Sequence, residues 1–443
     1  MNRAAGERNQ RLPQPDRQGF VAIPALTSLP LDGFDLAPDQ VRERFRWAAS
    51  QGKPQWLWPD VSEAAWGVAL QRIEAATRET MVHGRASAPL DGDAAVIGLA
   101  AYTSGMGPLL GRWAAAGKLA CSEPVAAILA LHLSHNRARM ARMAARALAV
   151  SEALFAAGVA HTFLKGMHTA YAYFPDPATR PLSDIDLLIE PGDERGAGEA
   201  LRGCGFVPGV ARTWPRERSW RIPDSPAQPC SLCFTHADDP WTIDLHMSLD
   251  RRYAAAAPVI RLDETAAFVR PGRWPLSPSG QALAQPLLLL HLTVHAGCGL
   301  DSLTMLRLVE LALVIRADFA ADPDAWDAFL DATARTGAPG SCYPGLWLCE
   351  KLVPGSVPGE VMERIWQAAP PKVRQVVGPM GPANAQRVSR CSLTERFMWA
   401  PSPGRIAWQV LAEIFPPGSA SIGKLLSTYR KRLWRLARRT LTQ

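Results

Sequence analysis

The stretch LKGMHTAYAYFPDPATRPLSDIDLLIE, residues 164–190, decides the fold that this sequence predicts. A proline-rich loop in its middle leads to a very apolar run, and Asp184 and Asp186 stand at the head of that run. Side chains two positions apart on a β-strand point to the same face. The two carboxylates are therefore expected to project together, while Ile185 and Leu187 point into the core.

The segments around this stretch predict a small mixed sheet with helices packed on it. Strands are predicted on both sides of the proline-rich loop, and a helix and a hairpin turned by ADDP are predicted after them. The predicted elements are a strand at 159–164, a short helix at 167–174, a strand at 185–190, a helix at 192–205, and strands at 230–236 and 241–249.

Helical patterns dominate on both sides of this sheet. Ala, Leu and Met recur at helical spacing over 127–158, and Gly158 is placed to end that helix in a left-handed conformation. We predict an α+β fold in which a small mixed β-sheet core is flanked by N- and C-terminal helical units. The predicted boundaries are a disordered leader at 1–37, a helical unit at 38–157, the α/β core at 158–250, a helical unit at 251–400 and a basic C-terminal helical segment at 401–443.

Length and composition indicate an ordinary globular protein with two or three structural units. The chain has 443 residues, of which 48% are hydrophobic and 20% are charged. Eight scattered cysteines without an export signal favour reduced thiols and a cytoplasmic location. The longest apolar run, residues 286–300, carries two histidines and predicts a buried helix rather than a membrane span.

A second acidic pattern follows at TIDLHMSL, residues 242–249. Asp244 and His246 are expected on one face of this predicted strand. If it lies beside the predicted strand that carries the first two aspartates, three carboxylates converge on one patch. Carboxylates this close repel one another and resist ionisation unless a cation lies between them. Mg²⁺ prefers such oxygen ligands, and two ions can align an in-line displacement at phosphorus.

Residues that suit a triphosphate stand next to this acidic pattern. Lys165 and Gly166 form a strand-to-helix turn, where a glycine lets phosphate approach backbone N–H groups. The Lys165 ammonium supplies a mobile positive charge. Arg180, four residues before Asp184, is a second candidate for a phosphate contact. Each motif is common alone, and their order on these elements is what favours a functional site.

Together these motifs resemble the uncharacterised nucleotidyltransferase family of the polymerase-beta-like superfamily. The resemblance is carried by FLKGMHTAYAYFPDPATRPLSDIDLLIEPGD, then ALRGCGF, then TIDLHMSL, all within residues 150–250. Members typically show LKG, an arginine ahead of D-I-D-L-L, a G-F or G-Y, and V-D-L-H. A looser resemblance extends to the preceding helices and to residues 289–315. The Lys-Gly pair of this chain stands where the superfamily has a Gly-Ser turn.

The resemblance implies Mg²⁺-dependent transfer of a nucleoside monophosphate from a nucleoside triphosphate to an acceptor hydroxyl, with release of pyrophosphate. The acceptor would belong to a small molecule, a peptide or a protein. By position, Asp184 and Asp186 would bind both metal ions, and Asp244 would bind the catalytic one and help to activate the hydroxyl. The residues expected to contact the nucleotide are Lys165, Gly166, Arg180 and His246.

Two other functions remain open at this point. The protein is either an active enzyme or a catalytically silent member that binds nucleotide or a partner protein and regulates it. In a third hypothesis it is antitoxin-like and adenylylates a partner protein. Only the acceptor separates the third hypothesis from the first, and the large helical mass points away from it, since such antitoxins are often little more than the core.

Two further patterns are weaker candidates for metal binding. His291 and His295 lie four residues apart on an apolar helix, a spacing that can place two imidazoles on one metal, although packing against the α/β core or lining the cleft is the favoured interpretation. Cys230 and Cys233 form a C-x-x-C, but no second pair follows at zinc-ribbon spacing.

The positive charge is concentrated at the C-terminus, in GKLLSTYRKRLWRLARRTLTQ, residues 423–443. This segment carries seven Lys and Arg residues and no acid, which equals the whole net charge of +7. An amphipathic basic helix of this kind either docks on the helical unit, which is the favoured interpretation, or lies on an anionic membrane surface as a peripheral contact. We find no strong signal for nucleic-acid binding.

Overall fold

The computed structural model describes residues 61–213, 216–223, 225, 231, 234–253, 257–297, 300, 303–383 and 397–414. The predicted leader at 1–37, the C-x-x-C cysteines Cys230 and Cys233, and most of the basic segment, residues 415–443, lie outside these residues. Within the described part of the chain, no helix combines the length and apolar character needed to cross a membrane.

Helices make up most of the described chain, in accordance with the predicted α+β class. They are α1 (Glu63–His83), α2 (Ala94–Thr103), α3 (Gly107–Ala115), α4 (Glu123–Ala156), α5 (Met167–Ala172), α6 (Glu194–Gly203), α7 (Leu262–Ala266), α8 (Leu287–Gly297), α9 (Met305–Asp318), α10 (Pro323–Arg335), α11 (Tyr343–Leu352), α12 (Gly359–Ala368), α13 (Pro371–Val377) and α14 (Pro403–Ile414).

One mixed sheet holds all the strands that occur in the described residues. They are β1 (His161–Phe163), β2 (Asp184–Ile189), β3 (Val207–Thr213), β4 (Arg216–Arg221), β5 (Thr242–His246), β6 (Gly272–Arg273) and β7 (Gln281–Ala282), in the spatial order β3-β4-β5-β2-β1-β7-β6. The β2–β5 and β1–β7 pairs are parallel and the others antiparallel. The sheet therefore includes residues 272–282, beyond the predicted end of the core at 250.

Most of the predicted core elements are confirmed, but the predicted hairpin is wrong. β1, β2, β5, α5 and α6 lie where the sequence predicts them. The described residues between 231 and 240 form no strand, and the antiparallel neighbour of β5 is β4, which pairs in a hairpin with β3. The sequence signal for this hairpin is weak because β3 contains Pro208 and Gly209 and β4 is mostly charged.

The two faces of the sheet have different partners. Ile185 and Leu187 of β2, like Ile243 and Leu245 of β5, are fully buried in one cluster. That cluster also contains α4 residues such as Leu154 and the α6 residues Ala197 and Leu201. Because neighbouring side chains on a strand alternate, the acidic residues of β2 and β5 face the other way.

Helix α4 is positioned against the sheet by its C-terminal cap. Gly158 has a φ of 72°, as the sequence predicts. Its N–H donates to the Phe155 carbonyl at 3.0 Å, and the Val159 N–H donates to the Leu154 carbonyl at 2.9 Å. This is the Schellman pattern, which turns the chain directly into β1.

The helices before and after the sheet share a second buried cluster. It joins residues of α1 to α3 with residues of α8 to α13. Backbone and side-chain hydrogen bonds link the two sets: the Leu306 N–H donates to the Ser104 carbonyl at 3.1 Å, and Arg316 Nη2 donates to the Met81 carbonyl at 2.7 Å. This packing holds the start of α9 next to the acidic face of the sheet.

Candidate active site

Three aspartates meet on the acidic face of the sheet. β2 and β5 are adjacent and parallel, and their register places Asp186 opposite Asp244. One carboxylate oxygen from each of Asp184, Asp186 and Asp244 lies within 4.8 Å of the other two. The convergence that the sequence predicts is therefore present in the fold.

Two of these carboxylates resist ionisation. Burial and the neighbouring Asp186 charge raise the pKa of Asp184. Burial and the Asp184 charge raise the pKa of Asp244. The Asp244 Oδ1 atom is buried and has no hydrogen-bond partner among the described residues. The acidic face is thus short of positive charge.

The third carboxylate, Asp186, is held in its ionised form by two neighbours. Lys165 Nζ lies 3.0 Å from Asp186 Oδ2, and the His246 Nε2–H group donates to Asp186 Oδ1 at 2.9 Å. Burial alone would raise the pKa of Asp186, but the Lys165 and His246 contacts hold it well below its usual value.

This donor set fits a hard divalent cation. All three side chains offer carboxylate oxygens, the ligands that Mg²⁺ prefers, and an unpartnered oxygen of Asp244 is among them. A cation placed between the three would relieve the repulsion that raises the pKa values of Asp184 and Asp244.

The Lys-Gly pair forms a tight turn between β1 and α5. Gly166 has a φ of 51°, a conformation that favours glycine, and a Cβ there would lie 3.1 Å from Leu182 Cδ2. The turn directs Lys165 to the acidic face, where it pairs with Asp186. The role of both residues in nucleotide binding stays a prediction.

Arg180 lies at the same cleft but is paired with an acid from α9. Its Nε donates to Glu310 Oε1 at 3.0 Å and its Nη2 donates to Glu310 Oε2 at 2.9 Å. The Thr169 hydroxyl also donates to Glu310 Oε1. These contacts tie the loop before β2, the helix α5 and the helix α9 together behind the cleft, and a phosphate contact by Arg180 stays a prediction.

A cavity of about 400 Å³ opens beside Asp184. Its walls come from the sheet and the turn after β1, from the loops before β2 and β5, from α2 and the loop after it, and from α4, α8 and α9. The polar lining includes Tyr102, Thr103, Arg139, Lys165, Arg180, Ser183, Asp184, Thr235, Asp239, His295, Thr304, Arg307 and Glu310. This volume lies within the usual range of small-molecule sites.

A family model of uncharacterised nucleotidyltransferases matches residues 97–354. The chain belongs to this family. The match covers more than half of the chain and includes β2, β5, the cavity and the helices α8 and α9. Family and acidic cluster together support nucleotidyl transfer in general, with a nucleoside triphosphate as substrate. None of the curated proteins and none of the solved structures that were compared matches the chain.

The two histidines of α8 occupy different positions in this nucleotidyltransferase. His295 lines the cavity, and His291 is buried behind it with no hydrogen-bond partner for either ring nitrogen among the described residues. Their ring centroids lie 6.2 Å apart. Burial, followed by nearby positive charges that include Lys165, lowers the pKa of both well below the usual value, so both rings are neutral. Neither belongs to the acidic group.

Sequence reasoning missed one prominent residue of the nucleotidyltransferase cleft, Arg307. It lies in the first turn of α9, one helical turn before Glu310, and both line the cavity. A charged pair at positions i and i+3 within the otherwise apolar run 305–315 was the signal that pointed to a polar face there.

Proposed function

We propose that the protein transfers a nucleoside monophosphate from a nucleoside triphosphate to an acceptor hydroxyl in a Mg²⁺-dependent reaction that releases pyrophosphate. The observation that carries this proposal is the convergence of three carboxylates within 4.8 Å on adjacent strands, beside a cavity rich in positive charge. The acceptor is a small molecule, a peptide or a protein.

In this proposal Asp184 and Asp186 would hold two Mg²⁺ ions, and Asp244 would hold the catalytic one and help to activate the acceptor hydroxyl. When bound, the ions would neutralise the charge that develops on the transferred phosphoryl group and lower the pKa of the hydroxyl. Two observations support these residues as the metal ligands. Their side chains offer carboxylate oxygens, and a bound cation would lower the raised pKa values of Asp184 and Asp244.

The reaction is a substitution at the α-phosphorus. The acceptor oxygen forms a bond to it, the bond from that phosphorus to the oxygen bridging to the β-phosphate breaks, and pyrophosphate leaves with the electron pair. The acceptor hydroxyl loses its proton, and we assign the Asp244 carboxylate as the base that takes it.

The test uses the full chain with MgCl₂ and each labelled nucleoside triphosphate. We expect pyrophosphate release or self-labelling that Asp186→Asn abolishes. Asp331→Asn is the matched control, because Asp331 is exposed on α10, away from the cleft. Equal turnover by wild type and Asp186→Asn would contradict metal catalysis at this site.

A second candidate is a catalytically silent protein that binds nucleotide or a partner and regulates it. The observation that favours it is that both oxygens of Asp186 are already engaged, by Lys165 and by His246. Calorimetry separates the candidates: a silent binder takes up nucleoside triphosphate in a Mg²⁺-dependent manner, loses this on Asp184→Asn, and releases no pyrophosphate with any acceptor tested.

A protein acceptor, as in the antitoxin-like hypothesis, would be recognised by labelled protein rather than labelled small molecules in cell extract.

We also propose a cytoplasmic location, which the free thiols of Cys121, Cys204, Cys342 and Cys349 support. The proposed contact of the basic C-terminal helix with an anionic membrane surface involves residues outside the described part of the chain.

A further inference from the structure

Four cationic side chains line the cavity beside Asp184, and three of them are held by neighbouring groups. Arg139 donates to the backbone carbonyls of Leu182, Asp239 and Pro240, Lys165 pairs with Asp186, and Arg180 pairs with Glu310. The fourth is Arg307.

Arg307 is half-buried and differs from the other three in its surroundings. In the described part of the chain, no hydrogen bond or ion pair joins its guanidinium to a partner. Burial and the nearby Arg180 lower its pKa, while the charges of Glu310, Asp184 and Asp186 act in the opposite direction. Its charge is thus repelled by another cation and attracted by the acidic groups, and no hydrogen bond or ion pair within the described residues satisfies it.

A half-buried guanidinium without a partner is costly, because it has lost part of its hydration without gaining hydrogen bonds. Phosphate matches its geometry, since two parallel N–H groups can donate to two oxygens. The backbone at the start of α9 does not compete for this role. The N–H groups of Leu306 and Arg307 already donate to the carbonyls of Ser104 and Thr304, so the side chain is the anion-binding group.

We infer that Arg307 binds the β- and γ-phosphates of the donor nucleotide and stays bound to them as pyrophosphate leaves. The inference rests on the proposed function. A hydroxyl acceptor needs no cation, whereas the triphosphate brings several negative charges into a cavity where the cations on the other walls are already paired. Asp184 and Arg307 line the same cavity, so a triphosphate bound beside Asp184 would also reach Arg307.

The test measures pyrophosphate and nucleotide binding, and therefore needs no acceptor. Wild type, Arg307→Gln and Arg307→Lys are titrated by calorimetry with pyrophosphate and with the preferred nucleoside triphosphate in MgCl₂, and each is checked by thermal unfolding. Arg316→Gln is the matched control, because Arg316 lies on the same helix but donates to the Met81 carbonyl outside this cavity.

We expect Arg307→Gln to weaken pyrophosphate and triphosphate binding about tenfold or more, since a charge-assisted hydrogen bond has about this effect. Arg307→Lys should retain part of the affinity, and Arg316→Gln and nucleoside monophosphate binding should be unchanged. If Arg307→Gln unfolds, Arg307→Lys still tests the inference, because it keeps the positive charge but loses the paired N–H groups of the guanidinium.

Equal pyrophosphate affinity in folded wild type and Arg307→Gln would overturn the inference and leave the proposed function standing. If wild type bound no nucleoside triphosphate with Mg²⁺, the proposed function would fail and the inference with it.

Discussion

The acidic face of the sheet and the cationic walls of the cavity meet at one cleft, but the chain builds them in different ways. The three aspartates come from two adjacent strands, β2 and β5, in one register. The cations come from α4, the turn after β1, the loop before β2 and the start of α9, at positions 139, 165, 180 and 307. One region follows from strand geometry, and the other depends on how distant helices pack.

The two regions also differ in how their charges are satisfied. On the acidic face, burial and mutual repulsion raise the pKa values of Asp184 and Asp244. On the cationic walls, Lys165 and Arg180 have acidic partners and Arg139 donates to backbone carbonyls. Among the described residues, no hydrogen bond or ion pair joins the Arg307 guanidinium to a partner. The comparison teaches that the acidic face holds repelling charges that a cation would offset, whereas most of the cations on the cavity walls are already held by neighbouring groups.

The largest effect should come from removing a charge on the acidic face. Asp244→Asn is expected to lower kcat on the order of 1,000-fold, because the site loses both a metal ligand and the base nearest the acceptor. Pyrophosphate release in MgCl₂ measures it, with Asp331→Asn as the control. A loss under about tenfold would mean that Asp244 is not part of the catalytic group.

Breaking a pair on the cationic side should affect stability instead. Glu310→Gln leaves the buried Arg180 without an acid and is expected to lower the free energy of unfolding by about 3 kcal/mol. Urea unfolding measures it. The control is Glu264→Gln, which breaks the exposed Arg261–Glu264 pair and should cost about 1 kcal/mol or less. Similar losses of unfolding free energy for the two variants would show that the buried pair stabilises the fold no more than an exposed pair does.

Lowering the pH should neutralise the carboxylates of the acidic face and so weaken Mg²⁺ binding, while the charges of the cationic walls stay unchanged. Because the pKa values of Asp184 and Asp244 are raised, both bind protons at a higher pH than solvated aspartates, and protons compete with Mg²⁺. We expect the Kd for Mg²⁺, measured by calorimetry, to rise about tenfold or more between about pH 7 and pH 5. A Kd that is constant over this range would contradict ligation by these carboxylates.

The smallest predicted effect is on stability. Asp244→Asn should lower activity but make the metal-free protein more stable. A carboxyl whose folded-state pKa is raised binds protons more readily when folded, so it lowers stability as the pH rises through the window from its unfolded to its folded value. At neutral pH without metal, Asp244→Asn should therefore raise the free energy of unfolding by about 1 kcal/mol. Asp186→Asn should lower it, since the pKa of Asp186 is depressed by Lys165 and His246.

Thermal unfolding in a chelating buffer measures both variants. Added Mg²⁺ should stabilise wild type more than either variant, so Asp244→Asn should then be less stable than wild type. If Asp244→Asn were the less stable protein without metal, the acidic face would not be under the repulsion that we describe.

The sequence predicted the elements whose signal is local. Alternation over 185–190 identified β2, helical spacing with Gly158 identified α4 and its cap, and the D-x-D and D-x-H spacing identified the shared faces of Asp184, Asp186 and Asp244. It failed for the β3–β4 hairpin, because Pro208 and Gly209 and a mostly charged β4 obscure the strand pattern.

The sequence by itself determined that three carboxylates point away from the core, since the period of two along a strand is a property of the backbone. The tertiary structure decided that β5 lies beside β2 with Asp244 opposite Asp186, and that α9 brings Arg307 and Glu310 to the same cleft. These positions depend on strand order and on helix packing between segments that are far apart in the chain, and no local pattern encodes such contacts.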